Sequence, residues 1–269
     1  MVGGNAVFTG TAATADAPMT AGPLPLVVLS HGGLRSAPDS GAWLGASLAQ
    51  AGFIVVEVNA SRPENAATAA NEIWQRPRDI SRALDMILGT PAWADHVDRD
   101  RLSVIGFALG GTAALSLTGS ALDMDAYARS CTSGEAPAPD CAWFAARNVT
   151  LDQVDPGGFA SLKPDPRLSA AIILEPEYPA VLKGGTVPTL LVSLSAEPVA
   201  VTGRSLETIA IPEATGFDAF ATCTQAGPEI LLEEDGDPAL CGTSAEARAH
   251  VHDAITGAIR SFLAEAGSR

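Results

Sequence analysis

The sequence predicts an α/β protein with a mostly parallel central sheet and helices on both faces. Three observations carry that expectation. Short apolar runs without polar alternation recur through the chain, as strands buried on both faces do. Stretches with helical apolar spacing separate them, so strand and helix alternate. The chain has 269 residues, enough for one large domain, 1–269, with a sizeable core.

The first run is Leu24 to Ser30, which leads into His31-Gly32-Gly33. Residues 1–22 before it are small and polar, and Ala6 to Gly10 reads as a short edge strand or a loop. Ser40 to Ala51 places Trp43, Leu44, Leu48 and Ala51 at helical spacing, closed by Gly52. Phe53 to Asn59 is the second strand. A helix follows from about Asn71 to Leu88, where Pro77 kinks it or marks the first turn of its main part. Leu102 to Phe107 is the third strand, and a small-residue helix starts directly after it. The alternation breaks over 119–165, an insertion rich in Asp, Ala, Pro and Gly. Strands resume at Leu168 to Glu175, Val187 to Ser195 and Leu206 to Ile211, and a second irregular insertion spans 212–243. The last helix, about Ser244 to Glu265, is N-capped by Ser244 and followed by Gly267.

Lys and Arg number 16 against 31 Asp and Glu, a formal charge of −15. That balance argues against nucleic acid and anionic membranes, which reward basic patches. No apolar run reaches the ~18 residues of a membrane span. Cys131, Cys141, Cys223 and Cys241 form two close pairs, one in each insertion. Disulfides 131–141 and 223–241 are the economical reading, with four reduced thiols as the alternative. Disulfides imply an oxidising compartment, periplasmic or secreted. No charged-then-apolar leader follows Met1, so the start is then expected to lie downstream of a removed one.

The chemistry converges on Gly106-Phe107-Ala108-Leu109-Gly110. A strand, a tight turn and a helix form the context of the G-x-S-x-G nucleophile elbow. The outer glycines fit, but Ala108 carries only a methyl group and can neither attack a carbonyl nor donate a proton. In a parallel sheet the functional groups gather at the strands' carboxyl ends, where His31-Gly32-Gly33, Asn59 and Ala108 all fall.

This order of elements resembles the α/β-hydrolase fold. The details look like its dienelactone-hydrolase-like branch, near secreted serine esterases and platelet-activating-factor-acetylhydrolase-like proteins. Pro25 to Gly33, Arg76-Pro77-Arg78-Asp79-Ile80 and Gly106 to Leu115 carry the resemblance, and the two cysteine-bearing insertions and the His252 helix fit it. Members usually have a strand or two before the run at Leu24, so the start is expected to be shortened. The resemblance implies ester or lactone hydrolysis, with position 108 as nucleophile and Glu197 as acid. Within Thr215-Gly216-Phe217-Asp218-Ala219-Phe220, the base would stand at Gly216. Oxyanion donors are expected at Leu109 and at Gly32 or Gly33. No cofactor or metal is implied by any motif.

Both the nucleophile and the base position are thus non-functional residues. His31 is expected to shape its turn, His96 to lie in a solvated segment, and His252 to bond within the scaffold. Glu197, lacking a histidine, reads as a solvated loop carboxylate. Glu175 and Glu177 form either an acid pair facing the cleft or a turn at a strand end. His31, Asn59, Trp143 and Phe217 are pocket candidates, although the aromatics could equally pack beneath the insertions. The expected protein is a catalytically silent binder of a small ester, lactone or carboxylate. The alternatives are an active hydrolase carrying Ser→Ala at 108, or acid–base chemistry by Glu175, Glu177 or Glu197 in the same cleft. Losing nucleophile and base together favours the silent binder, because either loss alone removes most of the triad's contribution.

Overall fold

The computed structural model describes residues 1–34, 36–60, 63–132, 140–179, 182–183, 185–197, 201, 205–234 and 236–267. In chain order the elements are β1 (Leu24–Ser30), α1 (Ala42–Gln50), β2 (Ile54–Glu57), α2 (Ala66–Ala69), α3 (Glu72–Gly89), α4 (Pro91–Ala94), β3 (Val97–Phe107), α5 (Leu109–Leu117), β4 (Ala121–Leu122), α6 (Met124–Arg129), α7 (Cys141–Ala145), α8 (Pro156–Ala160), β5 (Ala170–Leu174), β6 (Leu182–Lys183), β7 (Thr189–Ser193), β8 (Leu206–Ala210), α9 (Gly227–Glu233) and α10 (Ala245–Ala266). Six strands form one sheet in the order β2-β1-β3-β5-β7-β8, and every pairing in it is parallel. This is the α/β-hydrolase arrangement that the sequence led one to expect.

The register aligns the carboxyl ends of the central strands. Ser30 pairs with Gly106, Phe107 with Leu174, and Leu174 with Val192. The loops after β1, β3, β5 and β7 therefore emerge side by side. β5 and β7 are buried throughout, whereas edge strand β8 keeps several residues exposed. β3 is longer than its apolar run, starting at Val97, because polar residues 98–101 continue it beyond the covered sheet. An irregularity between Leu24 and Leu26 lets Leu24 pair with Val97.

Each apolar run divides its side chains between two cores. Leu26, Val28, Leu102, Val104, Ala171 and Ile173 pack with Ile73, Ile80 and Leu84 of α3 and with α5. Val27, Leu29, Ile105, Ile172 and Val192 pack with Leu44 and Leu48 of α1 and with Ile255 and Ile259 of α10. Burial of each such side chain contributes roughly 1.5–3 kcal/mol. α5 is buried along its whole length between the sheet and α3, which explains its lack of a polar face. α3 runs unbroken through Pro77, which sits in its second turn rather than starting it.

Both insertions contain short helices. In the first, Tyr127, Phe144, Leu151, Val154 and Phe159 extend the α3-side core, and Asp123 and Asp155 cap α6 and α8. Residues 133–139 of that insertion lie outside the described residues. Disulfides join Cys131 to Cys141 and Cys223 to Cys241, as the spacing suggested. The N-terminal stretch is tied to the second insertion: Phe8 bridges Cys223, Thr9 N–H donates to Thr222 O at 2.8 Å, and Thr224 N–H to Val7 O at 2.8 Å. No helix among the described residues is long and apolar enough to cross a membrane.

Candidate functional site

Ala108 joins β3 to α5 with φ 55° and ψ −122°, a backbone region that an L-residue adopts under strain. Close approach explains the glycines around it. A Cβ on Gly106 would stand 2.1 Å from Gly110 O, and one on Gly110 would stand 2.0 Å from Ser30 O. The elbow is also fixed by hydrogen bonds: Ala108 N–H donates to Leu174 O at 3.1 Å, and Glu177 N–H to Ala108 O at 3.1 Å. The elbow geometry is therefore retained around an inert side chain.

The loop after β1 lies against this turn. Gly32, at φ 88°, donates its N–H to Phe107 O at 3.2 Å. That donor is used, so of the two expected glycines only Gly33 can serve a ligand. No hydrogen bond among the described residues takes up the Gly33 or Leu109 N–H, and Leu109 opens α5, where N–H groups lack helical partners. Buried Arg76 sets the loop's orientation, donating from Nη1 to Gly32 O at 2.6 Å and from Nη2 to Gly33 O at 2.8 Å. Its Nε donates to Glu72 Oε2 at 3.1 Å. Arg76 thus holds the carbonyl side of these peptides and turns their N–H side the other way. The Arg-Pro-Arg-Asp stretch carried the family resemblance in the sequence, but the carbonyls that Arg76 binds lie more than forty positions away.

The loop carrying Gly216 is held just as firmly. Phe217 O accepts from Arg248 Nη1 at 2.7 Å, and Ala219 O accepts from His31 Nε2 at 2.8 Å and Trp43 Nε1 at 2.9 Å. Asp218 O and Phe220 O both accept from His252 Nε2 at 3.0 Å, and Ala221 O accepts from Arg248 Nη1 at 3.3 Å. Five consecutive carbonyls, 217 to 221, are therefore bound by side chains from distant elements. Arg248 Nε also lies 3.3 Å from Asp218 Oδ1, an ion contact without hydrogen-bond alignment. The His252 ring stacks on Trp43 at 3.6 Å. Burial lowers both His31 and His252 to about 4, so both rings are neutral at pH 7. A Cβ built on Gly216 meets no atom within 4 Å. The position has open space and no imidazole.

The remaining histidines lie elsewhere. His96 precedes β3 and accepts at its carbonyl from Leu24 N–H at 2.7 Å, and exposed His250 lies 3.9 Å from Glu213. Glu197 is exposed beyond β7, and its backbone carbonyl accepts from Ser195 Oγ at 2.6 Å. The carboxylate that reaches the end of β7 comes from Glu175, whose side chain accepts from Leu194 N–H and is held above the usual carboxylate range by burial. Glu177 turns the other way, against Gly33: a Cβ on that glycine would stand 2.8 Å from Glu177 Oε1. Burial, reinforced by Asp140 and opposed by Arg76, raises Glu177 to about 8. Glu175 and Glu177 thus serve separate contacts.

Among the pocket candidates, exposed Asn59 pairs with Asp39, its Nδ2 donating to Asp39 Oδ1 at 2.7 Å. Trp143 lies on α7 with the Arg147 guanidinium 4.4 Å over its ring and Phe144 edge-on at 5.2 Å. Phe217 is half-buried in the clamped turn. His31, at the carboxyl end of β1, packs 4.8 Å from the Phe107 ring. Among the described residues no group of three or more His, Cys, Asp or Glu stands together as metal ligands would.

Among known protein families, the one described as PETase, PET hydrolase-like, matches residues 3–148. The match takes in the Gly32-Gly33 loop, Arg76, the elbow and the first disulfide, and stops before Glu175, Glu197 and Gly216. No curated protein matches the chain. The match spans more than half of the chain's 269 residues and agrees with the sheet order and the elbow, so the chain belongs to the PET hydrolase-like family of α/β-hydrolase-fold proteins.

Proposed function

We propose that the chain is a catalytically silent member of this family that binds a small ester, lactone or carboxylate at the Gly33–Leu109 donors without turning it over. The observation that carries this reading is the methyl group of Ala108 at a fully formed elbow, with His31 and His252 both committed to backbone carbonyls. Gly216, where the resemblance to dienelactone-hydrolase-like proteins puts the base, carries no side chain that could accept a proton. The resemblance of the elbow and the His-Gly-Gly and Arg-Pro-Arg-Asp stretches to dienelactone-hydrolase-like proteins supports an ester- or lactone-like ligand. The two disulfides suit the periplasm or the outside of the cell.

Hydrolysis of p-nitrophenyl butyrate tests the reading. The wild-type chain and Ala108→Ser are both expected to stay near the buffer rate, because a serine without a base is a weak nucleophile. The double variant Ala108→Ser/Gly216→His is expected to exceed both by at least about a hundredfold, the scale that a base–nucleophile pair contributes. The strained backbone at position 108 favours a second reading, in which alanine replaces a serine that worked with Glu197 as acid and a histidine the sequence pattern does not mark. In that case Ala108→Ser alone would restore turnover by a hundredfold or more, and the silent-binder reading would fail.

A further inference from the structure

The mechanism of an esterase has no role for Glu177, yet this carboxyl lies beside Gly33, and its backbone N–H bonds to Ala108 O, one residue before Leu109. Its Oε2 is sealed from solvent and has no hydrogen-bond partner among the described residues. Its Oε1 faces Gly33. Two neighbouring donor groups bond elsewhere. Tyr127 OH donates to Ala70 O at 2.9 Å, and Arg76 spends three N–H groups on Gly32 O, Gly33 O and Glu72. The backbone of Glu177 is pinned by its N–H on Ala108 O and by Thr112 Oγ1, which donates to Glu177 O. The backbone of Glu177 is therefore fixed beside the elbow, and its Oε2 has no donor among the described residues.

Resting on the reading above, we propose that Glu177 and the N–H groups of Gly33 and Leu109 form a site for a carboxylate, with the Glu177 carboxyl donating a hydrogen bond to one ligand oxygen from the Oε1 that faces Gly33. An anion suits this place for three reasons. The Leu109 N–H at the start of α5 has no hydrogen-bond partner among the described residues and lies at the positive end of the helix dipole. The Arg76 cation stands behind the loop. A hydrogen bond from a carboxyl group to a carboxylate is charge-assisted, so it is stronger than one to a neutral ester carbonyl. Once ionised, Glu177 would repel the ligand and lose its donor. The charged and titratable groups around it are Asp140, Arg76, Tyr127 and Tyr178; Asp140 and burial favour the protonated form, and Arg76 opposes it.

Calorimetric titration with benzoate, and with methyl benzoate as its neutral counterpart, at pH 6.5 and pH 9.5 decides the matter. Benzoate is fully ionised throughout, so its own charge is constant. With Glu177 titrating at about 8, benzoate should bind roughly thirtyfold more weakly at pH 9.5, in proportion to the protonated fraction. Methyl benzoate loses the same donor but has no charge to repel, so its binding should weaken by a clearly smaller factor than that of benzoate. Glu177→Gln keeps an N–H donor and should retain benzoate binding while abolishing its pH dependence. Benzoate binding that is independent of pH, or whose dependence survives in Glu177→Gln, overturns the inference. Methyl benzoate binding as tightly as benzoate at pH 6.5 also overturns it, but leaves the silent-binder reading standing. If neither compound binds, both fail.

Discussion

At the scale of single residues, Ala108 is the informative position. A positive φ costs an L-residue about 1–2 kcal/mol relative to an unstrained conformation. Here the cost is borne by a side chain with no chemistry to perform. Ala108→Gly should therefore stabilise the protein by about 1 kcal/mol, offset in part by glycine's greater freedom in the unfolded chain. Urea unfolding at neutral pH would show it as a raised midpoint with an unchanged slope; a lowered midpoint would mean that the methyl's packing outweighs the strain. The alanine at 108 and the glycine at 216 were legible in the sequence, because each is a matter of side-chain identity. That Gly32 spends its N–H on Phe107 O was not legible, since a donor's availability depends on what the fold sets opposite it.

At the scale of elements, the clamp on loop 217–221 shows how α10 fixes the turn next to Gly216. Arg248 is almost completely buried and donates to Phe217 O, Phe220 O, Ala221 O and Leu240 O. Arg248→Met would fill much of the volume but orphan those carbonyls and leave Asp218 without its cation. A loss of about 3–5 kcal/mol is expected, the range for breaking one side of a buried charged network. The thermal midpoint would report it, and protease cleavage concentrated within 216–222 would locate it. A shift of less than about 1 kcal/mol would show that water replaces the guanidinium without loss. The sequence marked α10 as a helix through its Ser244 cap and apolar face; it held no sign that Arg248 points inward, as isolated arginines usually serve solvent.

At the scale of the whole molecule, opposing titrations shape stability. His31 and His252 have folded values near 4 against an ordinary 6.5, so their contribution is complete above 6.5 and is lost as pH falls towards 4. Glu57 and Glu177 are raised from 4.5 to about 7 and about 8, so their contribution is complete below 4.5 and is lost as pH rises through those values. Between about pH 4.5 and 6.5 the two trends offset each other, and stability should form a plateau. From pH 6.5 to 8 it should fall by on the order of 2 kcal/mol, with Glu72 and Glu175 adding in the same direction. Unfolding midpoints measured across pH 4 to 9 would check this, and Glu177→Gln should flatten the alkaline limb. A steady rise from pH 5 to 8 would contradict the assignment.

The linear chain by itself determined the strand and helix order, the glycine-flanked turn with alanine at its centre, and the spacing of the cysteines into two close pairs. Those follow from residue identity and short-range spacing, because a strand buried on both faces must be continuously apolar and a turn without room must be glycine. Only the tertiary structure decided which face of the sheet each strand residue serves, that polar residues 98–101 prolong β3, and that Arg76 orients the Gly32-Gly33 loop. It also parted Glu175 from Glu177, sending one to Leu194 and enclosing the other against Gly33. The reason is that burial and hydrogen-bond partnership are relations between segments far apart in the chain. A carboxyl group's protonation state is set by those surroundings, which its neighbours in sequence do not supply.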